Sequence, residues 1–272
     1  MPFLQSNGIQ LSYQSAGQGE NVLLIMGSSA AGHVWTLHQT PALNAAGYRT
    51  IVFNNRGVPP SDVPPGRYSL ADMVADTKGL IEALDLAPCR IVGTSLGALI
   101  AQELAIGWPH LVRCAVLMAT RARADTYRRA QTIADQVLAE SGLVLPAKWS
   151  AVDTVQRMLS PATLNDDAAV ASWLEVFEMA GDTRAGDARA GDGGQAWVDT
   201  DGDRRVALRG VTVPCRVIAF ADDTVTPPHL AAEVADAIED CDLVELPRAG
   251  HLGYLERPAE VNSAIVEFLD KN

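Results

Sequence analysis

The sequence predicts an α/β fold: a mostly parallel central sheet with helices on both faces and a mainly helical cap insertion. Three observations predict it. Short apolar runs such as Asn21–Met26 and Cys114–Ala119 have strand length and lack polar alternation, the mark of strands covered on both faces. Stretches with a period near 3.6 separate such runs, and strands alternating with helices imply right-handed crossovers between parallel strands. The alternation stops after Thr120 and resumes only near Cys215, so residues 121–210 exceed an ordinary connection.

The elements follow in order. Phe3–Ser6 and Ile9–Tyr13 flank Asn7-Gly8, a dipeptide that tolerates positive φ at both central turn positions, so the chain opens on a hairpin. Asn21–Met26, Arg49–Asn54, Arg90–Val92 and Cys114–Ala119 read as strands. Ser69–Leu86 places Leu70, Met73, Val74, Leu80, Ile81 and Leu84 on one helical face, while Leu96–Ile106 is apolar nearly all round and reads as a buried helix. Within 121–210 the patterns are helical, and Asn165-Asp166-Asp167 reads as the cap of a helix over Ala168–Met179. Ala-Gly-Asp recurs every five residues from Ala180 to Asp192. It is too short a repeat for a solenoid and reads as a surface loop, with a hinged lid as the alternative. Strands return at Cys215–Ala219 and Leu243–Leu246, before a closing helix at Val261–Leu269. Residues 1–120 and 211–272 are therefore expected to form the core, and 121–210 the cap.

Composition narrows the function. With 272 residues, 48% of them hydrophobic and 20% charged, the chain is neither a disordered tail, nor a coiled coil, nor a disulfide mini-protein. A net charge of −12 disfavours nucleic-acid and anionic-membrane partners. No apolar run approaches the roughly 20 residues of a membrane span. Residues 1–6 have no basic stretch followed by an apolar one, so no secretory signal is expected. The four cysteines (Cys89, Cys114, Cys215, Cys241) are widely spaced and read as small buried residues of a reducing, cytoplasmic compartment. Metal ligands and cofactors are not expected. The partner expected is a small-molecule substrate; a homo-oligomer is compatible with the sequence.

The sharpest motif is Gly93-Thr94-Ser95-Leu96-Gly97, between a strand and a helix. A nucleophile on such an elbow needs a strained backbone, and glycines at ±2 remove the collision with the neighbouring strand and helix. The turn lifts the Ser95 hydroxyl above the carboxyl ends of the strands, where open α/β sheets bind ligands. A serine needs a base. Of the five histidines, His251 alone follows the last strand, in the glycine-bracketed loop Arg248–Gly253. The base needs an orienting acid. Asp222-Asp223 follows the strand Cys215–Ala219, and the Asp-x-x-x-Pro spacing singles out Asp223, leaving Asp222 as a turn or capping residue. Donors for a developing oxyanion are expected from the N–H groups of Leu96 and of Ser28, the latter in the small-residue loop Met26–His33. An ordinary strand-to-helix turn is the alternative for that loop. Trp35, Trp173 and Phe177 are candidates for substrate contact, and Trp149, Leu159 and Met179 for apolar walls, although core packing is the commoner use of such residues.

Gly93–Gly97, Phe53–Gly57, the helix from Met73 to Leu84, Gly97–Leu104, Val116–Thr120, Phe220–Pro228 and Ala249–Pro258 also carry a resemblance. Over nearly its whole length the chain resembles the α/β-hydrolase superfamily. Within it, the chain is similar to the cofactor-free, non-haem haloperoxidase-like hydrolases and the enol-lactonases, with some likeness to esterases that demethylate polyketide esters. The resemblance implies the α/β-hydrolase fold, a Ser95–Asp223–His251 triad in that chain order, and an oxyanion donor at Leu96. It implies hydrolysis of an ester, lactone or related acyl bond in a small, largely apolar molecule. The same triad serves carbon–carbon hydrolases, acyl-transferring cyclases and peracid formers, and a non-catalytic binding protein of this fold is a third reading. Epoxide hydrolases and haloalkane dehalogenases carry aspartate where this chain has Ser95. Two positions depart from the pattern: Met26-Gly27 replaces a common His-Gly, and Asn54-Asn55-Arg56-Gly57 replaces Asp-x-Arg-Gly, which implies altered loop anchoring rather than altered chemistry.

Overall fold

In the computed structural model, which describes residues 2–180 and 194–272, eight strands form one sheet. They are β1 (Phe3–Ser6), β2 (Ile9–Ala16), β3 (Asn21–Ile25), β4 (Arg49–Phe53), β5 (Cys89–Thr94), β6 (Val112–Met118), β7 (Cys215–Phe220) and β8 (Cys241–Leu246). The spatial order is β1-β2-β4-β3-β5-β6-β7-β8. β2 pairs antiparallel with β1 and with β4, and all other neighbours are parallel. At the first hairpin Asn7 and Gly8 have φ of 47° and 80°, the geometry their dipeptide favours. Most of the Ala-Gly-Asp repeat falls outside the described residues.

Strand alternation divides the core in two. Leu23, Ile25, Ile51, Ile91 and Leu117 face one side, against α2 (Leu70–Ala83) and α3 (Leu96–Gly107). Val22, Leu24, Val52, Val92 and Val116 face the other, against Trp35, α1 (Gln39–Ala45) and the last helix. Each fully buried aliphatic side chain contributes roughly 1.5–3 kcal/mol relative to exposure. α2 starts where its sequence directs: Ser69 Oγ accepts the Asp72 N–H at 3.1 Å, and Asp72 accepts the Ser69 N–H at 2.9 Å.

Between β6 and β7 the described residues contribute no strand to the sheet. They form α4 (Thr126–Glu140), α5 (Ala147–Met158), α6 (Pro161–Leu164), α7 (Asp167–Ala180) and α8 (Arg205–Leu208). Of the polar trio before α7, Asp166 is the cap, accepting the N–H groups of Ala168 and Ala169 at 3.1 Å. α9 (Pro228–Ala237) follows β7 and begins just after Pro227. Proline at the first helical position is compatible with a helix start, and Leu230, Ala231 and Val234 are its buried face. α10 (Gly253–Glu256) and α11 (Pro258–Leu269) close the chain. No helix among the described residues is long and apolar enough to cross a membrane.

Candidate active site

The site begins with a backbone constraint. Ser95, between β5 and α3, has φ 53° and ψ −120°, a conformation L-residues rarely adopt. A Cβ on Gly97 would lie 2.1 Å from the Ile25 carbonyl oxygen, and one on Gly93 2.4 Å from that of Gly97. Only glycines at both positions let β5, α3 and β3 meet this closely. The Ser95 N–H donates to the Met118 carbonyl at 3.0 Å, which fixes the turn while its side chain stays partly exposed.

His251 and Asp223 reach the same rim from the loops after β8 and β7. Ser95 Oγ lies 3.1 Å from His251 Nε2, and His251 Nδ1 lies 2.9 Å from Asp223 Oδ2. The carboxylate can only accept, which assigns the His251 proton to Nδ1 and leaves Nε2 to accept from Ser95. Asp223 also accepts the Val225 and Thr226 N–H groups at 2.8 Å and the Thr226 hydroxyl at 2.6 Å. Burial opposes its ionisation, yet the facing His251 ring and these donors bring its pKa below the usual carboxylate range. Asp222, one residue earlier, is half-buried, and its N–H donates to the Ala249 carbonyl at 2.9 Å. The structure therefore brings the three residues singled out in the sequence into one hydrogen-bonded row.

Ser28 and Leu96 wall the same 220 Å³ cavity as Ser95. Leu96 opens α3, where N–H groups have no partner within the helix. The loop carrying Ser28 runs close above the elbow: a Cβ on Gly27 would sit 3.1 Å from Ser95 Cβ. Both asparagines of the departing motif hold this loop. Asn54 accepts the Gly32 N–H at 2.8 Å, and Asn55 donates to the Met26 carbonyl at 3.1 Å. Arg56 makes a buried two-point contact with Asp76 on α2, at 2.5 and 2.6 Å.

Two residues outside the sequence-derived set brace the rim. Gln195 accepts the Ser29 N–H and donates to the Arg56 carbonyl, both at 2.7 Å, and so clamps the loop where Ser29 takes φ 56°. Glu256 accepts the Gly250 N–H at 2.6 Å through one oxygen, and the Ser160 N–H at 2.9 Å and the Thr163 hydroxyl at 2.6 Å through the other. The His251 loop is thereby tied to the α5–α6 junction. Gln195 belongs to no motif, Glu256 lies in the Ala249–Pro258 segment without having been singled out, and only the fold shows what they hold.

The aromatic candidates lie elsewhere. Trp35 is fully buried, 5.1 Å from the Tyr254 ring, in the core beneath the sheet. Trp173 and Phe177 stack on each other at 5.5 Å along α7. None of the three lines the cavity beside Ser95 or the adjoining 300 Å³ cavity. Nor do Trp149, 53% exposed, Met179, 89% exposed, or the buried Leu159. The walls are instead rich in polar groups. α4 turns Arg128, Gln131, Thr132 and Asp135 to the cavity, while its Ile133 and Val137 are exposed. A polar face that reads as solvent-facing by spacing alone thus lines the site.

The alpha/beta hydrolase family model matches residues 22–264. A Mycobacterium tuberculosis protein named non-heme bromoperoxidase BpoC is 44% identical over 262 residues, spanning 96% of this chain and 97% of its own. Its crystal structure superposes with a TM-score of 0.86 over 96% of each chain, at 43% identity. The 3-oxoadipate enol-lactonase 2 of Acinetobacter baylyi is 26% identical over 267 residues, covering 96% of this chain and 94% of its own. With this fold, this extent of match and these relatives, the chain belongs to the alpha/beta hydrolase family.

Proposed function

We propose that the chain is a serine hydrolase that cleaves an ester, lactone or related acyl bond of a small molecule through an acyl-enzyme on Ser95. The observation that carries this reading is the row Ser95–His251–Asp223, at 3.1 and 2.9 Å, opening on a cavity. His251 takes the Ser95 proton as the oxygen attacks the carbonyl, then returns it to the leaving group. Asp223 holds the Nδ1–H tautomer and stabilises the imidazolium. The N–H groups of Ser28 and Leu96 receive the oxyanion, each worth about 3 kcal/mol in the transition state. Water then repeats the sequence on the acyl-enzyme. The described helices between β6 and β7 act as the cap, since α4 and α5 supply cavity walls. The enol-lactonase named among the relatives is consistent with acyl chemistry. The test is turnover of p-nitrophenyl acetate by the wild type and by Ser95→Ala. Loss of turnover in a variant with an unchanged circular dichroism spectrum supports the reading, and retained turnover refutes it.

A further inference from the structure

The charges around Ser95 run against the charge of the whole chain. The protein carries −12, yet the charged residues in the wall of the Ser95 cavity are Arg121, Arg128, Arg157 and a single acid, Asp135. Two of these arginines are paired with acids, although the Nε of Arg157 has no partner among the described residues. Arg128 donates to Asp125 at 3.0 Å and to the Thr224 carbonyl at 2.5 Å, and Arg157 pairs with Asp135 at 3.1 Å and Asp153 at 3.6 Å.

Arg121 is different. It follows β6, next to the strand that ends at Ser95, and is 8% exposed. One nitrogen, Nη2, donates to Thr200 Oγ1 at 2.9 Å and to Asp201 at 3.2 Å. Nε and Nη1 have no acceptor among the described residues. A buried guanidinium demands anionic or carbonyl oxygens, and here it has one single-point carboxylate. Its backbone is fixed: Gln102 of α3 donates to Thr120 Oγ1 at 2.8 Å and to the Arg121 carbonyl at 3.3 Å. Burial is also the main influence on the Arg121 pKa, which it lowers, as expected of a cation short of partners. Thr120, Gln131, Thr132 and Thr200 complete a wall of hydrogen-bonding groups around it.

We infer that Arg121 anchors a carboxylate on the substrate, so that the enzyme acts on acyl compounds whose far end is a free acid rather than on apolar ones. This inference rests on the serine-hydrolase reading and names the substrate class of that same site. A half-ester of a short dicarboxylic acid has the required form: its ester carbonyl is at Ser95 while its free carboxylate meets Nε or Nη1 of Arg121.

The test compares p-nitrophenyl hemiglutarate with p-nitrophenyl pentanoate, a neutral ester of similar length, after subtraction of uncatalysed rates. The wild type is expected to favour the half-ester at least tenfold in kcat/KM. In Arg121→Gln that ratio should fall at least tenfold, and Arg121→Lys should retain part of it. A purely packing role lowers both substrates together and leaves the ratio unchanged, which would overturn the inference, as would a wild type that prefers the neutral ester. If neither ester is turned over, the serine-hydrolase reading fails separately, and calorimetry with glutarate decides: tighter binding to the wild type than to Arg121→Gln supports the anchor, and equal or absent binding overturns it. Should Arg121→Gln fail to fold, the same comparisons are made with Arg121→Lys, where an undiminished preference or affinity overturns it.

Discussion

Gln195 accepts the Ser29 N–H at 2.7 Å across 166 residues of chain, fixing the loop that carries Ser28 from the segment between β6 and β7. In the proposed mechanism the contact positions the Ser28 backbone donor without touching the reacting atoms. Gln195→Ala removes the acceptor of a half-buried N–H, which costs at most about 1–3 kcal/mol, at a turn already held at positive φ. The expected result is a fall in kcat of roughly tenfold or more with a smaller change in KM, because a displaced oxyanion donor acts on the transition state. Gln195→Glu keeps an acceptor for Ser29 and should retain more activity. A change confined to KM would assign Gln195 to substrate contact instead.

Asp223 and Asp222 are adjacent in sequence, but only Asp223 meets His251. Asp223→Asn should lower kcat by about 10³–10⁴-fold, whereas Asp222→Asn should stay close to the wild type. Steady-state kinetics on one p-nitrophenyl ester separates them. The depressed Asp223 pKa also has a consequence for stability. Its contribution is full above the unfolded value of about 3.9 and is lost as pH falls through the lower folded value. Thermal melts between pH 5 and 2 should therefore decline in the wild type with a component that Asp223→Asn lacks.

The elbow glycines make a steric prediction. Gly97→Ala places a methyl 2.1 Å from the Ile25 carbonyl oxygen and should cost about 1–3 kcal/mol through forced backbone movement. Gly107→Ala, at the end of the same helix, meets nothing within 4 Å and should be neutral or stabilising by about 0.4–1 kcal/mol. Denaturant midpoints of the two variants check the contrast. Equal effects would mean that the elbow tolerates a side chain at that position.

Burial pushes the thiols of Cys89 and Cys241 up to about 12 and that of Cys114 to about 11, and raises Cys215 as well. Little thiolate exists near neutrality under those conditions, and the thiolate is the reactive form. Ellman's reagent at about pH 8 should leave the folded protein unreacted for minutes and titrate four thiols after unfolding. Rapid native reaction, at the partly exposed Cys241 above all, would mean that its thiol ionises near neutrality.

The inner strands were legible because they carry short, mainly apolar runs, and the first hairpin because Asn7-Gly8 marks its turn. Arg90–Val92, for instance, is the centre of β5, Cys89–Thr94. The row at the rim was legible because the chemistry fixes residue type, order and position at strand ends. The cavity wall was not. Trp35, Trp173 and Phe177 satisfy the rule that large apolar groups leave water, which does not say which surface they meet. The polar edge of α4 reads as solvated, since the spacing of Arg128, Gln131, Thr132 and Asp135 marks one face without naming its neighbour. Gln195 lies outside every motif, Glu256 lies in one without a role evident from spacing, and their roles come from contacts across 166 and 96 residues.

The most direct test of a Ser95 nucleophile is covalent. After incubation with a fluorophosphonate, intact mass and peptide mapping should find one adduct per chain on Ser95 in the wild type and none in Ser95→Ala or after heat unfolding. An unlabelled wild type, or an adduct on another residue, would contradict a catalytic role for the row formed with His251 and Asp223.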